Sequence, residues 1–204
     1  MKSNMILSAS GWRKVFSITN DEQDSSKNIG LENQAISVFA ALVFSDYVKE
    51  VTNKQKPTIL CGMDSRPTGN EIADATIKTL AANNVDVNFI GITAAPEIMA
   101  YSKNFDGFIY ISASHNPIGH NGIKFGLNTG GVLNGTENAK LVQKFNELCD
   151  KEDAVDYAMS ILNKANLSAV ENIYNNSPEQ KQQALLYYKN FLKDANSTDQ
   201  IEID

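Results

Sequence analysis

The chain has 204 residues, of which 42% are hydrophobic and 21% charged, with 12 Gly and 5 Pro. That is enough for one well-cored α/β domain, with or without the start of another, and it excludes collagen-like and Pro/Gly-rich disordered chains. The net charge is −6, with no basic stripe, which argues against nucleic acid as the main partner.

The first polar cluster is Ser10-Gly11-Trp12-Arg13-Lys14, which reads as a loop. Residues 31–53 then form an amphipathic helix, with Ile36, Phe39, Val43 and Tyr47 repeating near the 3.6 period. Pro57–Met63 is a short apolar run and a buried-strand candidate. It leads into a second loop, Asp64-Ser65-Arg66-Pro67. A helix over Asn70–Asn83 follows, then an alternating strand over Val85–Ile92 and a short helix over Ala95–Lys103. Phe108–Ile111 is the next strand, running straight into Ser112-Ala113-Ser114-His115-Asn116-Pro117. Gly122–Phe125 is a short return strand, and residues 136–150 form another helix. Beyond it, Val155, Ala158, Met159 and Leu162 mark one tail helix. Leu185, Tyr188, Phe191 and Leu192 mark a second, expected to begin after Pro178.

Strands alternating with helices predict a three-layer α/β/α domain with a mixed, mostly parallel sheet. The tight return from Ile111 to Ile123 predicts one antiparallel edge. Ligands of such sheets bind at loops leaving the carboxyl ends of strands, as the Asp64–Arg66 and Ser112–Asn121 segments do. Residues 1–150 are expected to form this domain and residues 151–204 a helical extension. The longest apolar stretch, Ala35–Phe44, is far short of the about 20 residues that span a bilayer, and Met5-Ile6-Leu7 is too short for a secretory core. Cys61 and Cys149 lack metal-type spacing and read as reduced core thiols, so the expected setting is cytoplasmic.

The rare residues gather in the same segments. The chain has two arginines, Arg13 and Arg66, and two histidines, His115 and His120. Ser114 follows a buried strand, its small neighbours leave the hydroxyl accessible, and Pro117 sets the turn. That pattern suits nucleophilic or phosphoryl-carrying work, although Ser, Asn and Pro also end strands in ordinary turns. Asn116 and backbone N–H groups can hold phosphate oxygens, and His115 can donate a hydrogen bond or carry a proton. Asn121-Gly122 is a turn dipeptide. A hairpin-like return there brings Lys124 beside Ser114, to neutralise phosphate or move a proton; the plainer alternative is a solvated lysine. Arg13 next to Gly11 suits a phosphate clamp, and Asp64 with Arg66 suits an internal pair bracing its loop. Phosphate-loop, dinucleotide, zinc-protease and nucleophile-elbow motifs are all absent from the sequence.

Together these four segments, in this order, resemble the α-D-phosphohexomutases, the family of phosphoglucomutases and phosphomannomutases. The resemblance is strongest for Ser112–Pro117 with Asn121–Phe125, and spans residues 10–125. It implies that Ser114 is the phosphoserine and a ligand of Mg²⁺ through its hydroxyl or phosphate. It implies Lys124 as general acid/base with Arg13 assisting, and His115 as a further catalytic group. Ser10, Gly11, Arg13, His115, Asn116 and Lys124 would contact a hexose phosphate, with Asp64 and Arg66 as structural support. The implied reaction passes through a hexose 1,6-bisphosphate. Phosphoglucosamine mutase, or a non-catalytic phosphosugar-binding domain, are the alternatives. Two positions depart from the family pattern: His120 stands where an aromatic is usual, and Trp12 where a smaller aliphatic is. The family's Asp-Gly-Asp-Gly-Asp-Arg magnesium loop and its sugar- and phosphate-recognition loops do not occur in these 204 residues. The resemblance therefore implies partner domains II–IV beyond this segment, and little turnover by the segment alone.

Overall fold

The computed structural model describes residues 1–197; residues 198–204, the end of the expected extension, lie outside the described residues. Six strands form one mixed sheet: β1 (Ile6–Ser8), β2 (Gly11–Val15), β3 (Thr58–Met63), β4 (Asp86–Ile92), β5 (Gly107–Ile111) and β6 (His120–Leu127). Their spatial order is β1-β2-β6-β5-β3-β4. The helices are α1 (Gly30–Thr52), α2 (Gly69–Ala82), α3 (Ala95–Tyr101), α4 (Gly135–Cys149), α5 (Ala154–Leu162) and α6 (Leu167–Ser197).

The two-residue period of the strands sorts the core into two layers. Ile59, Cys61, Ile109, Ile111, Ile123 and Phe125 face the layer built by α1, α2, α4 and α5. Leu60, Ile90, Phe108 and Tyr110 face the smaller layer built by α3 and α6. The expected α/β/α sandwich is therefore present. Helix α1 is long because its apolar positions wrap most of its circumference, and it ends where Asn53 takes the left-handed conformation, φ 53°. Helix α4 starts on a capping box: the Asn134 side chain accepts from the Glu137 N–H, and Glu137 accepts from the Asn134 N–H.

Three findings differ from the sequence expectation. The N-terminal segment is no loop. Gly11–Val15 is strand β2, antiparallel to β6, with Arg13 opposite Gly122. Trp12 is fully buried between Phe125 and Phe145, and its indole N–H donates to Asn138 Oδ1 at 2.8 Å. The burial of this one large ring pulls a polar segment into the sheet. The sheet is consequently less parallel than expected. Only β3 pairs in parallel, with β4 and with β5, while β1–β2, β2–β6 and β5–β6 are antiparallel. Third, Pro178 lies inside α6, not before it. A mid-helix proline costs about 3 kcal/mol, and packing on both sides offsets it. Before the proline, Tyr174 meets Phe89 edge-on. After it, Ala184 is fully buried and Lys181 Nζ bonds both Glu97 carboxylate oxygens at 2.7 and 2.8 Å. Helix α6 thus passes along the edge strand β4 from one layer to the other. Leu185, Leu186, Phe191 and Leu192 remain exposed on it. No described helix is long and apolar enough to cross a membrane.

Candidate active site at the Ser114 loop

The strand order brings the polar segments together. β5 lies between β3 and β6, so the loops leaving β3 and β5 emerge side by side at the carboxyl ends of parallel strands. β6 returns antiparallel to β5, placing Lys124 opposite Tyr110. β2 flanks β6 on its other side, setting Trp12 opposite Ile123 and Arg13 opposite Gly122. A cavity of about 180 Å³ opens there, lined by Ser10, Gly11, Trp12, Arg13, Ser112, Ala113, Ser114, His115 and Lys124.

Ser114 and His115 are exposed, and Ser114 adopts a left-handed backbone, φ 57°, which costs a residue with a side chain. Local hydrogen bonds hold it. The Ser114 N–H donates to Ser112 Oγ at 3.2 Å, and the Ser112 N–H donates to the Gly122 carbonyl at 2.9 Å. Arg66 reaches the loop from β3. One guanidinium nitrogen donates to the Pro117 and His120 carbonyls at 2.5 and 3.0 Å. The other donates to the Ser114 and Asn116 carbonyls at 2.9 and 2.6 Å. Asp64 steadies this fork from behind, with its carboxylate 3.5 Å from Arg66 Nε and accepting from the Arg66 N–H at 3.0 Å. Asp64 and Arg66 are thus an internal pair, and the fork ties that pair to residues 114–120.

Lys124 is half-buried. Burial lowers its ammonium below the ordinary lysine value; the Asp64 carboxylate raises it in part and the Arg13 guanidinium lowers it further. Glycine is required at position 11, where φ is +139° and a Cβ would come 3.0 Å from Lys124 Cγ. Gly122 is required as well, because a Cβ there would lie 2.8 Å from both the Ser112 and Trp12 carbonyl oxygens.

Ser10, Gly11, Arg13, Ser114, His115 and Lys124 therefore share one cavity. Asn116 does not line it. Its amide donates to the Ala113 carbonyl at 2.6 Å, and the residue instead borders a second cavity of about 210 Å³ with Arg13 and His120. The sequence reading did not single out Tyr110, whose ring lies under the Lys124 ammonium at 5.8 Å from its centroid. Nor did it single out Thr68, which accepts from the buried Asn121 side chain at 3.0 Å and pins the start of β6. Asn121-Gly122, expected as a turn dipeptide, lies inside strand β6 opposite Lys14 and Arg13, because residues 112–119 already make the return from β5.

The chain is 37% identical over 121 residues to a phosphoglucosamine mutase of Sulfurovum sp. (strain NBC37-1), covering 58% of this chain and 26% of that protein. It is 30% identical over 162 residues to a phosphoglucomutase/phosphomannomutase of Thermococcus kodakarensis, covering 70% of this chain and 35% of that protein. The chain thus matches about a quarter to a third of the length of these relatives. Among solved structures, a phosphoglucomutase/phosphomannomutase family protein of Burkholderia thailandensis superimposes with a TM-score of 0.51 at 25% identity, over 70% of this chain and 30% of that one. A chain from Thermus thermophilus shares the fold with a TM-score of 0.56 at 20% identity, over 71% of this chain and 30% of that one. Residues 6–152 match the family model of phosphoglucomutase/phosphomannomutase, alpha/beta/alpha domain I, and the chain belongs to that family.

Proposed function

We propose that this chain is the phosphoserine domain of a phosphohexomutase, which moves a phosphoryl group between the 1- and 6-positions of a hexose phosphate. The observation that carries this reading is the convergence of Ser114, His115, Lys124 and Arg13 on one cavity. In the forward step the phosphoryl group leaves Ser114 Oγ as a sugar hydroxyl oxygen attacks it. The Oγ–P bond breaks, the new O–P bond forms, and the hydroxyl proton passes to Lys124. The product is a hexose 1,6-bisphosphate. After it turns over in the site, its other phosphoryl returns to Ser114 Oγ, and Lys124 gives the proton back to the sugar oxygen. A lowered lysine suits this work, because a neutral amine can accept the proton. Arg13 and His115 bear on the transferring group as hydrogen-bond donors. The Arg66 fork and Asp64 hold the loop.

Mg²⁺ supplies charge neutralisation in this chemistry when bound. This chain offers the Ser114 oxygen, but among the described residues no group of three or more His, Cys, Asp or Glu gathers to hold a metal. The residues present do not fit a magnesium site by themselves; in this reading the carboxylates come from domains II–IV, as the chain matches a quarter to a third of its relatives' length. Glucose or mannose phosphate is the first substrate reading, after the family model and the Thermococcus kodakarensis relative. Glucosamine phosphate is the second reading, favoured by relatives that carry the name phosphoglucosamine mutase. Buried, free Cys61 and Cys149 support a cytoplasmic setting.

Incubation of the full-length protein and Mg²⁺ with hexose 1,6-bisphosphate labelled in its phosphate tests the reading. Label on Ser114, located by phosphopeptide mass spectrometry and lost in Ser114→Ala, is the expected result. A full-length protein that turns over hexose phosphate without ever carrying phosphate on Ser114 would overturn it.

A further inference from the structure

Lys124 is a flexible side chain asked to act at one atom, and the structure contains a device that limits its freedom. Tyr110 and Lys124 stand directly opposite in the β5–β6 register, so their side chains leave the same face of the sheet. The Lys124 Nζ lies over the Tyr110 ring, 5.8 Å from its centroid. The ring is fixed at its far end, where the phenol donates to the Thr93 carbonyl at 2.9 Å, and Tyr110 is only 5% exposed. On the other side Gly11 leaves just enough room for the lysine stem. The aliphatic chain therefore runs between a glycine backbone and an immobile aromatic face.

We propose that Tyr110 is the positioning residue for Lys124, its ring carrying the ammonium in the Ser114 cavity while the bond to Thr93 keeps the ring face turned to the lysine. The assignment rests on the mutase reading, in which Lys124 takes and returns the sugar proton. The ring favours the charged amine, against the burial that disfavours it. The other charged groups acting on the pair are Asp64 and Arg13 on Lys124, and Asp64 and Glu97 on Tyr110.

The test is a pH titration of the chain labelled with ¹³C at lysine Cε, followed by NMR, with Lys124→Arg assigning the signal. Tyr110→Phe keeps the ring but loses its bond to Thr93, and its Lys124 midpoint is expected to fall between those of the wild type and Tyr110→Leu. Tyr110→Leu removes the ring, and the midpoint is expected to fall by about half a pH unit. An unchanged midpoint in Tyr110→Leu overturns the assignment. If Tyr110→Leu does not fold, the unsubstituted chain decides. Lys124 ε-methylene protons shifted upfield by the ring support the assignment, and shifts equal to those of exposed lysines overturn it. The two readings fail separately. An unlabelled Ser114 defeats the mutase reading even where Lys124 follows the ring, and a Lys124 indifferent to the ring defeats this one even where Ser114 is labelled.

Discussion

Arg66 donates to the Ser114 carbonyl at 2.9 Å, across 48 residues of chain. The same guanidinium takes three more carbonyls of the 114–120 loop. A planar fork of five donors can serve four acceptors that converge from a turn; a single ammonium cannot. The loop presenting the candidate phosphoserine is thus held by the loop of the neighbouring parallel strand.

Replacing Arg66 with Lys is expected to cost about 2–3 kcal/mol, the range for loss of charge-assisted hydrogen bonds. Urea unfolding measures the cost. Hydrogen exchange separates a local from a global effect: amides of residues 113–120 should lose protection well before those of β3 and β5.

Ser114 gives a prediction of opposite sign. Its left-handed backbone is one that glycine adopts freely. Ser114→Gly should therefore stabilise the fold by about 1 kcal/mol, partly reduced by glycine's greater freedom when unfolded. Ser114→Ala should leave stability nearly unchanged. Both should lose phosphoryl acceptance in the labelling assay. A melting temperature that rises in Ser114→Gly as labelling disappears marks a residue kept strained for its chemistry.

The attachment of α6 has its own test. Glu97 is 5% exposed, and Lys181 binds both its carboxylate oxygens. Lys181→Ala leaves a buried carboxylate unpaired and should cost about 3 kcal/mol, the penalty of a broken buried pair. Glu97→Gln combined with Lys181→Met should recover most of that. Limited proteolysis reports whether the loss frees α6, with cleavage near Asn175–Glu179 appearing in the single variant and fading in the double.

What the sequence disclosed and what it concealed divide along local and non-local physics. Helix α1 was legible because Ile36, Phe39, Val43 and Tyr47 repeat on one face, and the β5 loop because an apolar run stops at Ser112. Ser10, Gly11, Arg13, Ser114, His115 and Lys124, which share the cavity, were legible as a set only through the family resemblance of their segments. Strand β2 was not, because Gly11-Trp12-Arg13-Lys14 has no strand-like alternation of apolar residues. Its pairing depends on β6 at the far end of the domain and on the burial of Trp12. Pro178 misled for the same reason: a local stop signal is overridden when Tyr174 and Lys181 both have partners in the body of the fold. Arg66's four carbonyls and Tyr110's place under Lys124 are consequences of register and strand order, which no short motif encodes.

The lowered Lys124 ammonium makes a signed prediction about pH. Burial is the largest cause, with Asp64 opposing it and Arg13 adding to it. In the unfolded chain the amine returns to the ordinary value of 10.5. Below the folded value, Lys124 is charged in both states, and the folded state bears the full cost of the half-buried ammonium. Between the folded value and 10.5 the unfolded state binds more protons, so this group's contribution to stability rises with pH. Lys124→Met should therefore be more stable than wild type at pH 7, and its advantage should shrink as pH approaches 10.5. The difference between the two denaturation curves isolates the lysine below the raised range of Tyr110, the titrating ring that faces it. A gain that is the same at pH 7 and pH 10 would mean that the benefit of methionine is packing and that Lys124 is not held as an impaired base.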